Sequence, residues 1–256
     1  MGKWSQLAGD VFLDWLAVPP GRRWLDVGCG NGAFTELVIQ RCSPSAVVGI
    51  DPSDAQLAHA RARLAPAAAE FRQGDAMALP IDGRDYDVAV MPLVIFFVPD
   101  PAKGVAELAR VVKPGGIVSA YAWDMAGGGF PYSAVLDELR AMDVAVPHPP
   151  REEASRLDVM HELWSGAGLT AIETRVISVQ RTFVHFDDYW ATILGSPSAG
   201  KSIAALPSDA RLRLRARLEQ RLPAGSNGAI TCSASANAVK GRSSDTTNSS
   251  AHGLPP

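Results

Sequence analysis

No apolar run in this 256-residue chain reaches the ~18 residues needed to cross a bilayer, so no membrane span is expected. Cysteine is scarce. Cys29, Cys42 and Cys232 are odd in number and lack metal-ligand spacing, which points away from a disulfide framework or a metal centre and toward free thiols in a reducing compartment. The chain does not open on a basic segment followed by an apolar core, so a cytoplasmic location is expected. Charge of either sign is not in excess: 24 Lys and Arg stand against 27 Asp and Glu, a net charge of −3. No basic surface of the kind that holds nucleic acid is expected, and the run Arg211, Arg213, Arg215, Arg217 and Arg221 reads as a solvated helix face. There are five histidines, few enough to weigh one by one. Nothing in the sequence fixes the oligomeric state.

What is present is an ordinary globular composition, 47% hydrophobic and 20% charged, suited to one domain. Strands are expected at 23–27, 46–51, 69–73, 86–91 and 116–122. Helices are expected at 4–18, 33–42, 54–64, 101–112 and 132–142. Such alternation predicts a doubly wound α/β fold with a parallel sheet. Lys113-Pro114-Gly115-Gly116 is expected to end one helix, with Gly as its C-cap. Beyond residue 123 the alternation lapses. A loop at 126–131, helices at 156–167 and 208–222, a short helix from Phe186, and strands near 169–179 and 228–239 follow. From Gly241 the chain is rich in Ser, Thr, Asn and Gly, with little to bury, and a disordered tail over 241–256 is expected. The domain is thus placed at 1–240, with its core at 22–123 and covering elements from 1–18 and 124–222.

The most informative stretch is Trp24-Leu25-Asp26-Val27-Gly28-Cys29-Gly30-Asn31-Gly32. An apolar strand ends near a carboxylate, glycines follow at alternate positions, and a helix begins. The glycines permit positive φ and close approach of a ligand to the backbone, while the helix start offers free N–H groups. Gly28-x-Gly30-x-x-Ala33 also fits a loose dinucleotide pattern, and a tight structural turn is a third reading. Asp26 tips the balance. A carboxylate at the mouth of the loop repels pyrophosphate and suits a cationic ligand. S-adenosylmethionine (SAM), with its ammonium and sulfonium, is such a ligand.

Two more carboxylates end the next strands. Asp51, at the end of Val47-Val48-Gly49-Ile50-Asp51-Pro52, has the spacing that suits ribose hydroxyls. NAD would use the same contact, so Asp51 does not discriminate. As an N-cap it is less well placed than Ser53 or Asp54. Asp75, in Gln73-Gly74-Asp75-Ala76-Met77, could accept from an adenine amino group while the Ala76 N–H reaches a ring nitrogen. A loop-capping role is its plain alternative.

Together with Tyr86-Asp87-Val88-Ala89-Val90 and Leu108-Ala109-Arg110-Val111-Val112-Lys113-Pro114-Gly115-Gly116, these motifs make residues 24–122 resemble class I SAM-dependent methyltransferases. The resemblance is to the small-molecule branch that includes ubiquinone/menaquinone and trans-aconitate methyltransferases. It implies a Rossmann-like seven-stranded sheet, mostly parallel with an antiparallel last strand. The strands at 169–179 and 228–239 would close that sheet. It also implies a cofactor site of Asp26, Gly28, Cys29, Gly30, Asp51, Pro52, Asp75, Ala76 and Met91, with SAM as cofactor and no metal. The expected partner is a small organic acceptor, methylated on oxygen or carbon.

Two departures stand out. Many relatives carry a polar residue and then a His after the fourth strand. Here Met91-Pro92-Leu93-Val94-Ile95-Phe96-Phe97-Val98-Pro99 is apolar, so no acid/base group comes from this loop. The Asn/Asp-Pro-Pro-aromatic motif of amino-directed nucleic-acid methyltransferases is also absent. Candidate catalytic groups therefore lie elsewhere: His148 in a Pro-flanked loop, His185 before Phe186, Tyr189 and Trp190, and Asp124 just past the fifth strand. His59 and His161 read as surface residues, and His252 falls in the tail. Trp4, Leu7, Trp123, Phe130, Tyr132, Tyr189 and Trp190 could wall an acceptor pocket or pack the core. A SAM-binding protein without transferase activity and a nicotinamide-dependent oxidoreductase remain the rival readings.

Overall fold

Strand β1 (Arg23–Val27) is buried from Trp24 onward, as a strand covered on both faces must be. The same holds for most of β2 (Ala46–Asp51), β4 (Tyr86–Pro92) and the second half of β5 (Val112–Trp123). The short β3 (Glu70–Gln73) and the long β6 (Thr170–Phe183) are more exposed, and β7 (Ile230–Arg242) completes the sheet. The computed structural model, which describes residues 2–146, 148–196, 199–222 and 224–244, orders these strands β3-β2-β1-β4-β5-β7-β6. The first five pair in parallel. Strand β7 runs antiparallel between β5 and β6. This is the Rossmann-like, seven-stranded sheet implied by the sequence, with its antiparallel last strand.

Helices cover both faces. Helices α1 (Gly2–Leu16), α2 (Ala33–Cys42) and α3 (Asp54–Arg63) share one core with Trp24, Val90 and Tyr121. On the other face α4 (Pro101–Val111) joins a second core with Leu25, Ile50 and Met91. Helix α5 (Ser133–Arg140) packs above the first core, and α6 (Leu157–Gly166) belongs to the second. Neighbouring strand residues face opposite sides of the sheet. Tyr121 and Trp123 therefore enter the first core, whereas Ala120 and Ala122 enter the second.

The β6–β7 pair overshoots the sheet. Trp123, at the end of β5, is level with Ala236 and Ile177. Pairing of β6 with β7 continues to Phe183 and Ile230, a ledge of about 20 Å at strand rise. Helix α7 (Phe186–Leu194) packs on it, with α8 (Gly200–Ala204) against α7 and α9 (Ser208–Arg221) against α5. Ion pairs from Arg217 and Arg221 to Glu138 and Asp137 join α9 to α5. Arg213 and Arg215 pair with Asp209 and Asp187, so the arginine run is a solvated, largely ion-paired face.

Three expectations are corrected. Gly115 has φ +73° but caps no helix: α4 ends at Val111, Val112 already pairs with Tyr86, and residues 113–116 form an irregularity in the ladder. Helix α8 was not anticipated, being too short to carry a period. The expected tail begins inside β7, which runs to Arg242, and Ser243 is buried with its Oγ accepting from Arg84 Nη2 at 2.6 Å. Residues 245–256 lie outside the described residues.

Candidate functional site

Gly28, Gly30 and Gly32 adopt φ of +75°, +52° and +77°, the left-handed region that residues with a Cβ avoid. The loop is tied to the sheet, since Gly28 and Cys29 donate to the Ile50 carbonyl at 2.7 and 3.0 Å. Gly28 is also sterically required. A Cβ there would lie 2.5 and 2.6 Å from the Val94 methyls, so the loop after β4 closes directly on the glycine loop.

Asp51 braces the same loop. Its Oδ2 accepts from Gly30 N and its Oδ1 from Ser53 N, both at 2.9 Å. The N-cap of α3 is Ser53, whose Oγ accepts from Gln56 N. A carboxylate oxygen can accept twice, so each Asp51 oxygen keeps capacity for a hydroxyl. Pro52 follows it, with its carbonyl accepting from Gln73 Nε2. Asp75 is exposed, and its Oδ1 accepts from Met77 N at 2.8 Å, which shapes the turn containing Ala76.

Asp26 is not at the mouth of the loop. It is 1% exposed beneath it, with Oδ2 accepting from Thr35 Oγ1 on α2 at 2.6 Å. Its Oδ1 is buried with no hydrogen-bond partner among the described residues. Burial pushes its pKa up to about 7; the Thr35 hydrogen bond opposes this and the Asp51 charge adds to it. A buried carboxylate oxygen without a partner is costly, and a cation nearby would relieve that cost. Cys29 is buried against the same two carboxylates. Burial first, then Asp26 and Asp51, hold its thiol far above the ordinary range, so it stays protonated and is no nucleophile.

A cavity of about 890 Å³ opens on the loop at Cys29, Gly30 and Asn31, near the top of the ~300–1,000 Å³ range of small-molecule sites. The start of α1 contributes Gly2, Ser5 and Gln6. A polar rim holds Glu36, Gln40, Gln56 and Arg63. There Arg63 Nη1 meets Glu36 Oε2 at 3.0 Å and Arg63 Nε donates to the Asn31 carbonyl at 3.1 Å. Leu93, Phe96, Phe97, Trp123, Met125, Phe130 and Leu136 give the cavity its apolar lining, and His148 and Pro149 line it as well. Leu93 holds φ +60°, an uncommon conformation for a branched residue, while its N–H donates to the Tyr121 carbonyl at 2.7 Å.

The expected site residues therefore divide. Cys29 and Gly30 line the cavity, Asp51 braces Gly30, and Asp75, Ala76 and Pro52 stand at neighbouring strand ends outside the lining. The Met91 side chain is fully buried in the second core, on the α4 side near Gly104, where strand alternation turns it, and it too lies outside the lining. Of the catalytic candidates only His148 reaches the cavity. His185 caps α7, its Nδ1 accepting from Asp188 N at 3.2 Å. Asp124 closes a turn through Gly127 N at 2.9 Å. Of the aromatic set, Trp123 and Phe130 line the cavity, while Trp4, Tyr132, Tyr189 and Trp190 pack the core. Sequence reasoning missed the Glu36–Arg63 rim and Phe97, which is 58% exposed. The apolar run after β4 was the available signal for Phe97.

Comparison with known proteins bears on the same region. Residues 25–120 match the family described as "Methyltransferase domain". A demethylmenaquinone methyltransferase of Desulfitobacterium hafniense is 38% identical over 104 residues, covering 39% of this chain and 41% of that protein. A ubiquinone biosynthesis O-methyltransferase of Hahella chejuensis is 37% identical over 107 residues, covering 41% and 44%. The chain thus spans about two fifths of the length of these curated relatives. The YcgJ protein of Bacillus subtilis superposes with a TM-score of 0.62 over 93% of this chain and 99% of that one, at 17% identity, and shares the fold.

Proposed function

We propose that this chain, whose residues 25–120 match the family described as "Methyltransferase domain", moves a methyl group from SAM to a small organic acceptor. The observation that carries this reading is one constellation. A glycine loop braced by Asp51 lies over the buried Asp26, whose Oδ1 has no partner among the described residues, and opens on a cavity with a largely apolar lining. These residues fit SAM. Asp51 would hold the ribose hydroxyls, Asp75 and Ala76 the adenine edge, and the glycine loop the amino-acid portion above the negative field of Asp26.

When bound, the sulfonium supplies an electrophilic methyl group. The chain's own residues need only align the acceptor and exclude water. Leu93, Phe96, Phe97, Trp123 and Phe130, which line the cavity, would do both. A pyrophosphate is disfavoured on the same loop, since it would add charge above Asp26 and Asp51. The apolar loop after β4 keeps one second reading in view, SAM binding without transfer. Among the described residues no helix is long and apolar enough to cross a membrane.

Calorimetric titration with SAM, S-adenosylhomocysteine (SAH) and NADH tests the proposal. Micromolar binding of the two sulfur ligands and none of NADH is expected. NADH binding alone would overturn it. Ligand binding without product across hydroxyl, carbon and amine acceptors would favour the non-transferring reading.

A further inference from the structure

The loop after β4 lacks an acid or base, yet the segment lying against it brings one. Arg151 N donates to the Phe96 carbonyl at 3.0 Å, and Arg151 Nε to the Pro99 carbonyl at 2.8 Å. The 3-10 turn Glu152–Ser155 follows. Ser155 Oγ donates to the Glu152 carbonyl at 2.7 Å, and buried Asn237 on β7 donates through Nδ2 to the Ser155 carbonyl at 2.9 Å. Residues 151–155 are thereby fastened to the cavity wall on one side and to the sheet on the other.

This segment carries a pair. His148 lines the cavity, and its Nδ1 lies 3.2 Å from Glu152 Oε2. A carboxylate at Nδ1 keeps the proton there and leaves Nε2 as the acceptor. Among the described residues no hydrogen bond engages Nε2. Among the other titratable side chains that line the cavity, Cys29 is buried and Glu36 and Arg63 pair with each other. An exposed imidazole–carboxylate pair adds little to stability, so folding alone gives it no evident purpose.

We infer that His148 is the general base of this site and Glu152 its positioning residue, and that the acceptor is an aromatic or enolic hydroxyl compound methylated on oxygen. This rests on the methyltransferase reading above. A pocket lined by Phe96, Phe97, Trp123 and Phe130, with His148 as its base, suits a planar molecule whose one ionisable group is a hydroxyl. The step balances as follows. The hydroxyl proton passes to His148 Nε2, and the freed oxygen pair forms the bond to the methyl carbon. The carbon–sulfur bond breaks with its pair left on sulfur, giving neutral SAH. The imidazolium, facing Glu152, then returns its proton to water. A carbon acceptor with an adjacent enol would need the same deprotonation, so the acceptor atom is the finer part of the inference.

The test uses the full chain with SAH and 4-nitrophenol as a probe. Calorimetry first establishes SAH binding. Nitrogen-15 NMR of histidine-labelled protein should show neutral His148 as the Nδ1–H tautomer, moving toward the Nε2–H tautomer in Glu152→Ala. A merely structural contact would leave the ring's tautomer in Glu152→Ala as it is in the parent. With SAH bound at pH 6, 4-nitrophenol should bind as its yellow phenolate, and His148→Gln should weaken that binding at least tenfold. An Nε2–H tautomer in the parent protein, or nitrophenol held as the neutral phenol, overturns the pair while SAH binding keeps the methyltransferase reading. Absence of SAH binding overturns both. Circular dichroism and an unchanged urea midpoint confirm that either variant is folded.

Discussion

Replacing Gly28 by Ala separates two physical demands that the glycine loop makes at once. The backbone at Gly28 has φ +75°, and a left-handed residue with a Cβ costs about 1–2 kcal/mol. The added methyl would also sit 2.5 and 2.6 Å from the two Val94 methyls, and overpacking of that kind costs about 1–3 kcal/mol. Together these predict a loss of ~2–5 kcal/mol, a large part of a domain's ~5–15 kcal/mol. Gly30 supplies the control. Its φ is +52°, but nothing lies within 4 Å of a Cβ built there, so Gly30→Ala should lose only the ~1–2 kcal/mol backbone share. Urea unfolding at fixed pH, with m unchanged, reads both values. Val94→Ala in the Gly28→Ala background should recover the steric share and leave the backbone share, a coupling of about 1–3 kcal/mol. Equal losses for the two glycine variants, or an additive double mutant within ~0.5 kcal/mol, would refute the claim that Val94 limits the space above the loop.

Asp51→Ala should lower SAH affinity by about 1.5–3 kcal/mol, the scale of hydrogen bonds to a charged group. Calorimetry reads this, and full affinity in a folded variant would remove Asp51 from the ribose site. Asp26 makes ligand-free stability fall as pH rises. Its folded pKa is raised from 3.8 to about 7, mainly by burial. The folded state therefore binds the extra proton between those values. The stabilisation is complete below about pH 4 and lost on passing pH 7, on the order of 4 kcal/mol in all. Between pH 5 and 8 the share is about 2–3 kcal/mol, and Asp26→Asn should flatten that slope in urea titrations; an unchanged slope would assign it to other groups. Phe97, 58% exposed on the cavity wall, should be replaceable by Ala within ~0.5 kcal/mol of stability. The same change should weaken 4-nitrophenol binding to the SAH complex, and unaltered binding would take Phe97 out of the acceptor site.

The cofactor side of the molecule was legible because its signals are local. Gly28, Gly30 and Gly32 report their own backbone angles, and Asp51 closes an apolar strand that announces it. The side-chain directions were less legible. Asp26 reads as a loop carboxylate, yet strand alternation turns it inward to Thr35, and the same alternation sends Met91 into the second core. His185 and Asp124 stand beside cavity-forming segments in sequence, but each is consumed by local capping. Such caps depend on backbone donors that a residue list does not display.

The proposed acceptor side was illegible for a different reason. Its wall is assembled from the start of α1, the loop after β4, the end of β5, α5 and the segment at His148. No short motif spans these elements, and their meeting depends on the β6–β7 ledge and on Asn237 holding Ser155 from the far end of the chain. That division has a functional consequence. The cofactor loop is held by contacts among β1, β2 and α2, whereas most of the acceptor wall is held by contacts outside them. If the proposed acceptor site is right, changes at Phe97, Phe130 or Leu136 should alter which molecule is accepted while the Asp51–Gly30 brace stays intact. Gly28 is the exception. Val94, from the acceptor-side loop, presses on it directly, so the position of that loop and the shape of the cofactor loop are set together.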